Sequence, residues 1–311
     1  MKSKQVGYVL MALIALGVIG IVVRLISAGG NELVLEGLLP ISPDVIDRVT
    51  ITSPTSQAKL DRVPGPSGVW EIDGNLAFVP KLDALWTATV DIDGAQLVAE
   101  NPANHERMGV GDDQGTYVVF WFGGSIQEEF IIGGWSQDVR LCYLRKPTRN
   151  QVYGIPCPLA NIFNPNSDDW RDPIVVSIPG NAVDMVEFNY PGEEFVLRRV
   201  ARGWTIDSGS GEEAANIFAV NAVLSNIEVL VSREFAGPDE TQGLDFAGPD
   251  SVSVRITPNP ESGFPVTSVR LLPRDNTSFY ARTPVQSTIF IVDAGVTANL
   301  LLTSTDFSTR N

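Results

Sequence analysis

Residues 44–51, DVIDRVTI, return in the same chain as residues 181–188, NAVDMVEF. Residues 68–74, GVWEIDG, likewise return as residues 203–209, GWTIDSG. The offset between the copies drifts only between about 133 and 137 residues, which indicates a duplication with small insertions and deletions in loops. The sequence therefore predicts two tandem repeats.

The predicted repeats span residues 44–176 and 177–307, followed by a polar tail at 308–311. Within each repeat, short segments alternate apolar and polar residues between Gly and Pro, a pattern typical of antiparallel strands. Gly123-Gly124 and Gly133-Gly134 are interpreted as hairpin turns, since neither pair is followed by the Lys-Ser or Lys-Thr of a phosphate-binding loop. We expect an α+β fold in which each repeat is a small, mainly antiparallel sheet with one covering helix.

One amphipathic helix is predicted in each repeat. In the first repeat, Pro80 occupies a first-turn position. Its apolar face consists of Leu82, Leu85, Trp86 and Val90. The equivalent residues of the second repeat are Ile217, Val220, Leu224 and Ile227.

Residues 6–23, VGYVLMALIALGVIGIVV, form a run without a charged residue. At 1.5 Å per residue, a helix of this length spans about 27 Å, close to the hydrocarbon thickness of a bilayer. The sequence therefore predicts a cytoplasmic tip and transmembrane anchor over residues 1–29 and a stalk over residues 30–43.

Charges on either side of the run predict its orientation. Lys2 and Lys4 precede it, so the positive-inside rule favours a cytoplasmic N-terminus and an extracytoplasmic ectodomain. The alternative is a cleaved signal peptide, which normally has a shorter apolar core and a small-x-small cleavage site. Residues 26–28, Ile-Ser-Ala, match such a site poorly, so we expect an uncleaved, single-pass anchor in the cell membrane.

Net charge argues against one class of partner. The chain carries 37 Asp and Glu against 22 Lys and Arg, a formal charge of -15. The negative electrostatic field of such a chain repels phosphate backbones, so we expect no nucleic-acid partner.

The two cysteines, Cys142 and Cys157, flank a predicted hairpin turn near Thr148. An extracytoplasmic compartment would allow them to form a disulfide. A turn centred near Thr148 places them slightly out of register, however, and the sequence leaves the pairing open.

The only histidine, His105, lies in a polar loop without a nucleophile-elbow sequence nearby. One histidine and two separated cysteines make a zinc site improbable. Asp91-Ile92-Asp93-Gly94 resembles the start of a calcium loop, but Pro102 stands where an EF-hand requires glutamate. We interpret His105 as a solvated loop residue and the Asp91 segment as the end of a helix.

Asp168, Asp169 and Asp172 are the candidates for a glycosidase-like carboxylate pair. Adjacent residues rarely face each other across a substrate, so a polar cap around Trp170 is the favoured interpretation.

The tryptophans divide into two groups. Trp70 and Trp204 recur at equivalent positions and are predicted to be core residues. Trp121 and Trp135 have no clear counterparts, which makes them candidates for an exposed ligand or partner surface.

Several short motifs resemble those of the DUF4340 family of uncharacterised bacterial proteins. They are Gly68-Val69-Trp70-Glu71-Ile72, Met108-Gly109-Val110, Tyr143-Leu144-Arg145 and Trp170-Arg171-Asp172, within a likeness over residues 39–307. Members carry an N-terminal membrane segment and are often associated with ABC-transporter components. The resemblance implies an accessory role and assigns no catalytic residue.

The sequence therefore favours a membrane-anchored extracytoplasmic accessory or scaffold protein that acts by protein–protein contacts, with an ABC-transporter or envelope assembly as the class of partner. No residue is predicted to be catalytic, to bind a cofactor or to bind a metal, and we expect no enzymatic activity. The alternative is a glycan- or small-ligand-binding module with a cleft between the repeats.

Overall fold

The computed structural model describes residues 42–65, 68–92, 95–136 and 140–309. The predicted anchor and nearly all of the predicted stalk lie outside these residues, as do Asp93 and Gly94. Within the described ranges, no helix combines the length and apolar character needed to cross a membrane.

Strand is the dominant secondary structure. The first sheet contains β1 (Arg48–Thr52), β2 (Gln57–Arg62), β3 (Trp70–Ile72), β4 (Asn75–Leu76), β5 (Gln96–Ala99), β6 (Thr116–Phe122), β7 (Ser125–Trp135), β8 (Leu141–Arg145) and β9 (Val152–Pro156). Its nine strands lie in the order β4-β3-β2-β1-β6-β7-β8-β9-β5.

The second large sheet has the same succession of neighbours. Its strands are β11 (Val183–Tyr190), β12 (Glu193–Val200), β13 (Gly203–Asp207), β14 (Glu212–Ala214), β16 (Glu234–Phe235), β17 (Val252–Pro258), β18 (Thr267–Pro273), β19 (Ser278–Arg282) and β20 (Phe290–Asp293). Their order is β14-β13-β12-β11-β17-β18-β19-β20-β16. A separate ribbon pairs β10 (Ile174–Val176) with β15 (Leu230–Val231).

The predicted fold class, a transmembrane helix followed by two repeats that each form a small sheet, is wrong for the described residues. They form two large antiparallel sheets of nine strands each. The sheets are large because the chain returns after its first strands and pairs beside them, β6 with β1 and β17 with β11. Sequence periodicity identifies single strands and does not reveal such distant pairing.

In the described part of the chain, helices are few and mostly short. They are α1 (Val79–Asp91), α2 (Cys157–Ala160), α3 (Ile217–Glu228), α4 (Pro238–Thr241), α5 (Ala294–Thr297) and α6 (Ser304–Phe307). Short 3-10 turns cover Pro43–Val45, Pro102–Asn104, Ser167–Trp170, Gly180–Ala182 and Ala298–Leu301. The two longest helices, α1 and α3, occur where amphipathic helices were predicted.

The apolar faces of α1 and α3 are largely as predicted. In α3, Val220, Leu224 and Ile227 are buried, and the Asn216 side chain caps the helix by accepting a hydrogen bond from the Phe218 amide. In α1, Leu82 and Leu85 are buried, whereas Val90 is 66% exposed. Val90 was therefore wrongly assigned to the buried face, as was Ile217 of α3, which is 44% exposed.

The chain divides into two compact units. The first comprises the described residues up to Gln57 together with Asp83–Pro165, and the second comprises Ala58–Leu82 with the described residues from Asn166 onward. In the second unit, Phe188 and Phe195 stack with ring centroids 4.5 Å apart, and Phe307 packs against both rings. These aromatic contacts lie in the main apolar core of that unit.

A disulfide joins Cys142 in β8 to Cys157 at the start of α2, with the Cα atoms 4.8 Å apart. Cys142 pairs with Ile155 in the strand register, so Cys157 lies two residues beyond the directly opposite position. This offset agrees with the out-of-register arrangement inferred from the turn. The structure thus shows the disulfide that the sequence left open.

Candidate functional site

The segment around Trp170 is held in place by backbone contacts within the second unit. Trp170 ends a 3-10 turn and is fully buried, and its carbonyl oxygen accepts a hydrogen bond from the Phe78 amide over 2.8 Å. Arg171 forms a bridge with Ala77, and the Asp172 amide donates to the Leu76 carbonyl over 2.9 Å. Successive side chains of an extended segment point to opposite sides. Arg171 and Asp172 accordingly line two different cavities.

Arg171 lines a cavity of about 700 Å³, which we call the cationic cavity. Its walls combine charged and apolar side chains. They are Phe78, Pro80, Lys81, Asp168, Asp169, Arg171, Pro173, Ile174, Val231, Arg233 and Phe235. The volume lies within the range typical of ligand pockets.

Two of the three cations in this cavity are fixed by neighbouring side chains. Arg171 forms an ion pair with Asp168, with Nη1 and Oδ1 3.3 Å apart, and its guanidinium lies 5.2 Å from the Phe235 ring centroid. Lys81 Nζ lies 4.5 Å from the ring centroid of Trp170, a cation–π contact. Burial lowers the pKa of Lys81, and the charge of Asp169 opposes that shift.

The cavity retains unsatisfied positive charge. Arg171 Nε is buried and has no hydrogen-bond partner among the described residues. Arg233 is exposed and has no ion-pair partner in the described part of the chain. Among the described residues, three cations and two carboxylates give the lining a net charge of about +1, in a chain of formal charge -15.

Asp172 lines a smaller recess of about 180 Å³, which we call the Asp172 recess. Its walls are mostly apolar. The lining residues are Leu76, Asp172, Ile174, Val175, Val176, Ser177, Ile178, Phe264, Pro265, Thr267, Thr283, Val285 and Gln286. Burial raises the pKa of Asp172, while the hydrogen bond from the Ile174 amide opposes that rise.

The predicted carboxylate cluster is therefore divided. Asp168 and Asp169 are exposed on the 3-10 turn and line the cationic cavity, whereas Asp172 lines the recess. Sequence reasoning missed Lys81, Arg233 and Gln286, which come from distant segments. The sequence signal that could have pointed to this cavity is Arg233, a cation that follows the short apolar strand β15.

The other predicted candidates lie elsewhere. In the first unit, His105 is half-buried, and its Nε2 donates to the Asn150 carbonyl oxygen over 2.9 Å. Helix α1 ends at Asp91, as predicted. Among the described residues, no group of three or more His, Cys, Asp or Glu side chains is arranged to hold a metal ion.

The predicted division of the tryptophans into core residues and exposed residues holds only in part. Trp70 and Trp204 are buried, which confirms them as core residues. Trp135 is 63% exposed. Trp121 is half-buried, and its indole nitrogen donates to Thr50 Oγ1 over 3.2 Å, so it contributes to the packing of β6 on β1.

A third recess, also about 700 Å³, lies on the second sheet and is mainly polar. Several of its charged groups are already paired. Arg255 Nε lies 3.4 Å from Glu187 Oε2, and Asn189 Nδ2 donates to Glu194 Oε1 over 2.8 Å. Asp207 and Arg270 complete its charged lining.

A family model described as a domain of unknown function matches residues 78–247, more than half of the chain. The chain belongs to the DUF4340 family. Every residue that lines the cationic cavity falls within the part matched to DUF4340, from Phe78 to Phe235. No curated protein and no solved structure matches the chain.

Proposed function

We propose that this DUF4340 protein is an extracytoplasmic accessory protein that binds an acidic segment of a partner protein in the cationic cavity. The observation that carries the proposal is local positive charge in a strongly acidic chain. A partner carboxylate would meet the exposed Arg233, and charge-assisted hydrogen bonds are among the stronger polar contacts.

The cavity walls support binding of a protein segment. Val231 is 47% exposed beside Arg233, and Phe235 is half-buried, so apolar surface adjoins the cations. Because Lys81 and Arg171 are held by Trp170, Asp168 and Phe235, little side-chain entropy would be lost on binding. Apolar anchors beside ordered charges are typical of protein interfaces.

The proposal includes a location at the cell membrane. Its support is the uncharged run at residues 6–23, with Lys2 and Lys4 before it. An ABC-transporter or envelope assembly is the class of partner that we propose. Alkaline phosphatase fused after residue 41 should be active, since this reporter requires export. An inactive fusion that is expressed at normal levels would contradict the location.

In-cell photo-cross-linking tests the proposed binding. A photoreactive amino acid at Val231 in the full-length protein should yield one discrete adduct. Arg233→Glu should reduce that yield at least five-fold, because it reverses the exposed charge of the cavity. Arg202→Glu is the matched control, since Arg202 is exposed and lies outside the cavity lining. Equal yields in the two variants would refute the proposal.

Binding of a glycan or small ligand is the second candidate function. The polar recess of the second sheet favours it, because carboxylate, amide and guanidinium groups can bind sugar hydroxyls. Its aromatic lining residues, Phe188, Phe195 and Phe246, are buried, which leaves little surface for stacking a sugar ring. A glycan that protects the protein against thermal unfolding, and loses this effect in Asn189→Ala, would favour this function over the first.

A further inference from the structure

Two residues that line the Asp172 recess have buried oxygen atoms without a hydrogen-bond donor in the described part of the chain. Thr283 is only 3% exposed, and its Oγ1 has no partner among the described residues. Gln286 Oε1 is also buried without a partner there. Both residues line the recess, and buried polar groups are normally satisfied, so these two acceptors are suited to a ligand that brings hydrogen-bond donors.

The Gln286 amide has a defined orientation. Its Nε2 donates to the Ile174 carbonyl oxygen over 2.9 Å, and a carbonyl oxygen can only accept. The nitrogen is therefore the end that faces Ile174, and Oε1 is the acceptor left without a donor.

Asp172 lies beside this amide. The Ile174 amide donates to Asp172 Oδ1 over 3.0 Å, while the Ile174 carbonyl accepts from Gln286. The amide and carbonyl of one residue in a strand point toward the same edge, so the Asp172 and Gln286 side chains occupy neighbouring positions along that edge of β10. Thr283 lines the same recess from the segment after β19.

The lining determines which ligand suits the recess. Among the described residues, its lining includes one carboxylate, that of Asp172, and no Lys or Arg. The remaining walls include Leu76, Ile174 and Val285, which are apolar. A ligand therefore needs a donor-rich cationic head and an apolar stem.

We propose that the Asp172 recess binds a primary ammonium group carried on a short aliphatic stem. An ammonium has three donors and no acceptor, which matches the Asp172 carboxylate, Gln286 Oε1 and Thr283 Oγ1. The stem lies against the apolar walls, as lysine stems do on protein surfaces. This site uses different polar residues from the cationic cavity and does not depend on the proposed function.

Ligand titration of the full-length protein in detergent, followed by NMR or calorimetry, tests the site. n-Butylammonium should bind saturably with a Kd of about 1 mM, a typical affinity for so small a ligand. n-Butanol, which has the same stem without the charge, should bind at least ten-fold more weakly. Nα-acetyl-lysine methylamide distinguishes two sources of the ammonium group. Binding of both amines identifies a lysine side chain as a ligand, and binding of n-butylammonium alone identifies a free amine.

Variants assign the binding to these atoms. Asp172→Asn should weaken n-butylammonium binding at least ten-fold, and Thr283→Val should weaken it several-fold without unfolding the protein, since the lost hydroxyl has no partner. Thr205→Val is the matched control, because Thr205 Oγ1 is equally unpartnered but lies outside the recess lining. No saturable binding, equal binding of n-butanol, or unchanged binding in Asp172→Asn would overturn the proposal.

Discussion

At the scale of single residues, Arg145 shows a buried charge used for folding. Its side chain is only about 4% exposed, and its Nε donates to the Val110 carbonyl over 2.8 Å. Nη1 donates to the carbonyl oxygens of Pro147 and Arg149, and Nη2 pairs with Asp112. One side chain thus joins two loops to β8.

Arg145→Ala should therefore destabilise the protein by about 3 kcal/mol, because buried carbonyl acceptors lose a charged donor. Arg282 is the matched control: it occupies the equivalent sequence position in the second sheet but is exposed. Arg282→Ala should change the free energy of unfolding by no more than about 0.5 kcal/mol. Denaturant unfolding measures both, and similar losses in the two variants would contradict this role for Arg145.

Asp172 should make stability depend on pH. Burial raises the pKa of its carboxyl in the folded protein above the pKa in the unfolded chain. Between these two pKa values, the folded state therefore binds more protons than the unfolded state. Stability therefore falls as pH rises through this window. Asp172→Asn should be more stable than the unaltered protein at pH 7, and the difference should shrink as pH falls below the folded value.

Denaturant unfolding at a series of pH values measures this difference. Asp250→Asn, at an exposed turn residue, serves as the control for nonspecific charge effects. If Asp172→Asn increased the free energy of unfolding equally at low and neutral pH, the raised pKa of Asp172 would not be the cause.

At the scale of elements, the glycines of β7 correct a sequence prediction. Gly123-Gly124 form the turn between β6 and β7, as predicted. Gly133-Gly134 do not form a turn: they lie inside β7, where the pairing with β8 shifts register between Ile132 and Trp135. The loop at Met108-Gly109 packs directly against them, and the Gly134 amide donates to the Met108 carbonyl over 2.9 Å.

Gly133→Ala should destabilise the protein by about 2 kcal/mol, because a methyl group there would overlap the Met108 carbonyl oxygen. Gly134→Ala is the neighbouring control, since its nearest non-adjacent atom would be 3.7 Å away. Thermal unfolding should show a lower Tm for Gly133→Ala and little change for Gly134→Ala. Equal shifts would mean that close packing against Met108 is not the reason for glycine at position 133.

At the scale of the whole molecule, the sequence predicts strands better than it predicts sheets. Alternating patterns mark segments such as β1 and β11, and hairpins follow from short turns. The pairing of β1 with β6 and of β11 with β17 joins segments separated by more than 60 residues. Nothing in local periodicity specifies such partners, which is why small sheets were predicted and large ones are found.

The candidate site shows the same limit. Asp168, Asp169 and Asp172 stand out in the sequence because they are close together. The separation of Asp172 from Asp168 and Asp169 depends on tertiary structure, as does the arrival of Lys81 and Arg233 from other segments. Sequence therefore identified the acidic residues, while the cations and the unpartnered oxygens required the fold.

The proposed function depends on a contact between Arg233 of the cationic cavity and a carboxylate of the partner. A double-mutant cycle tests it most directly, combining Arg233→Glu with lysine substitution of the partner acidic residue nearest the Val231 cross-link. Each single change should weaken binding, and the double variant should recover at least about 1 kcal/mol of the binding free energy. Strictly additive losses would contradict direct contact between the two charges.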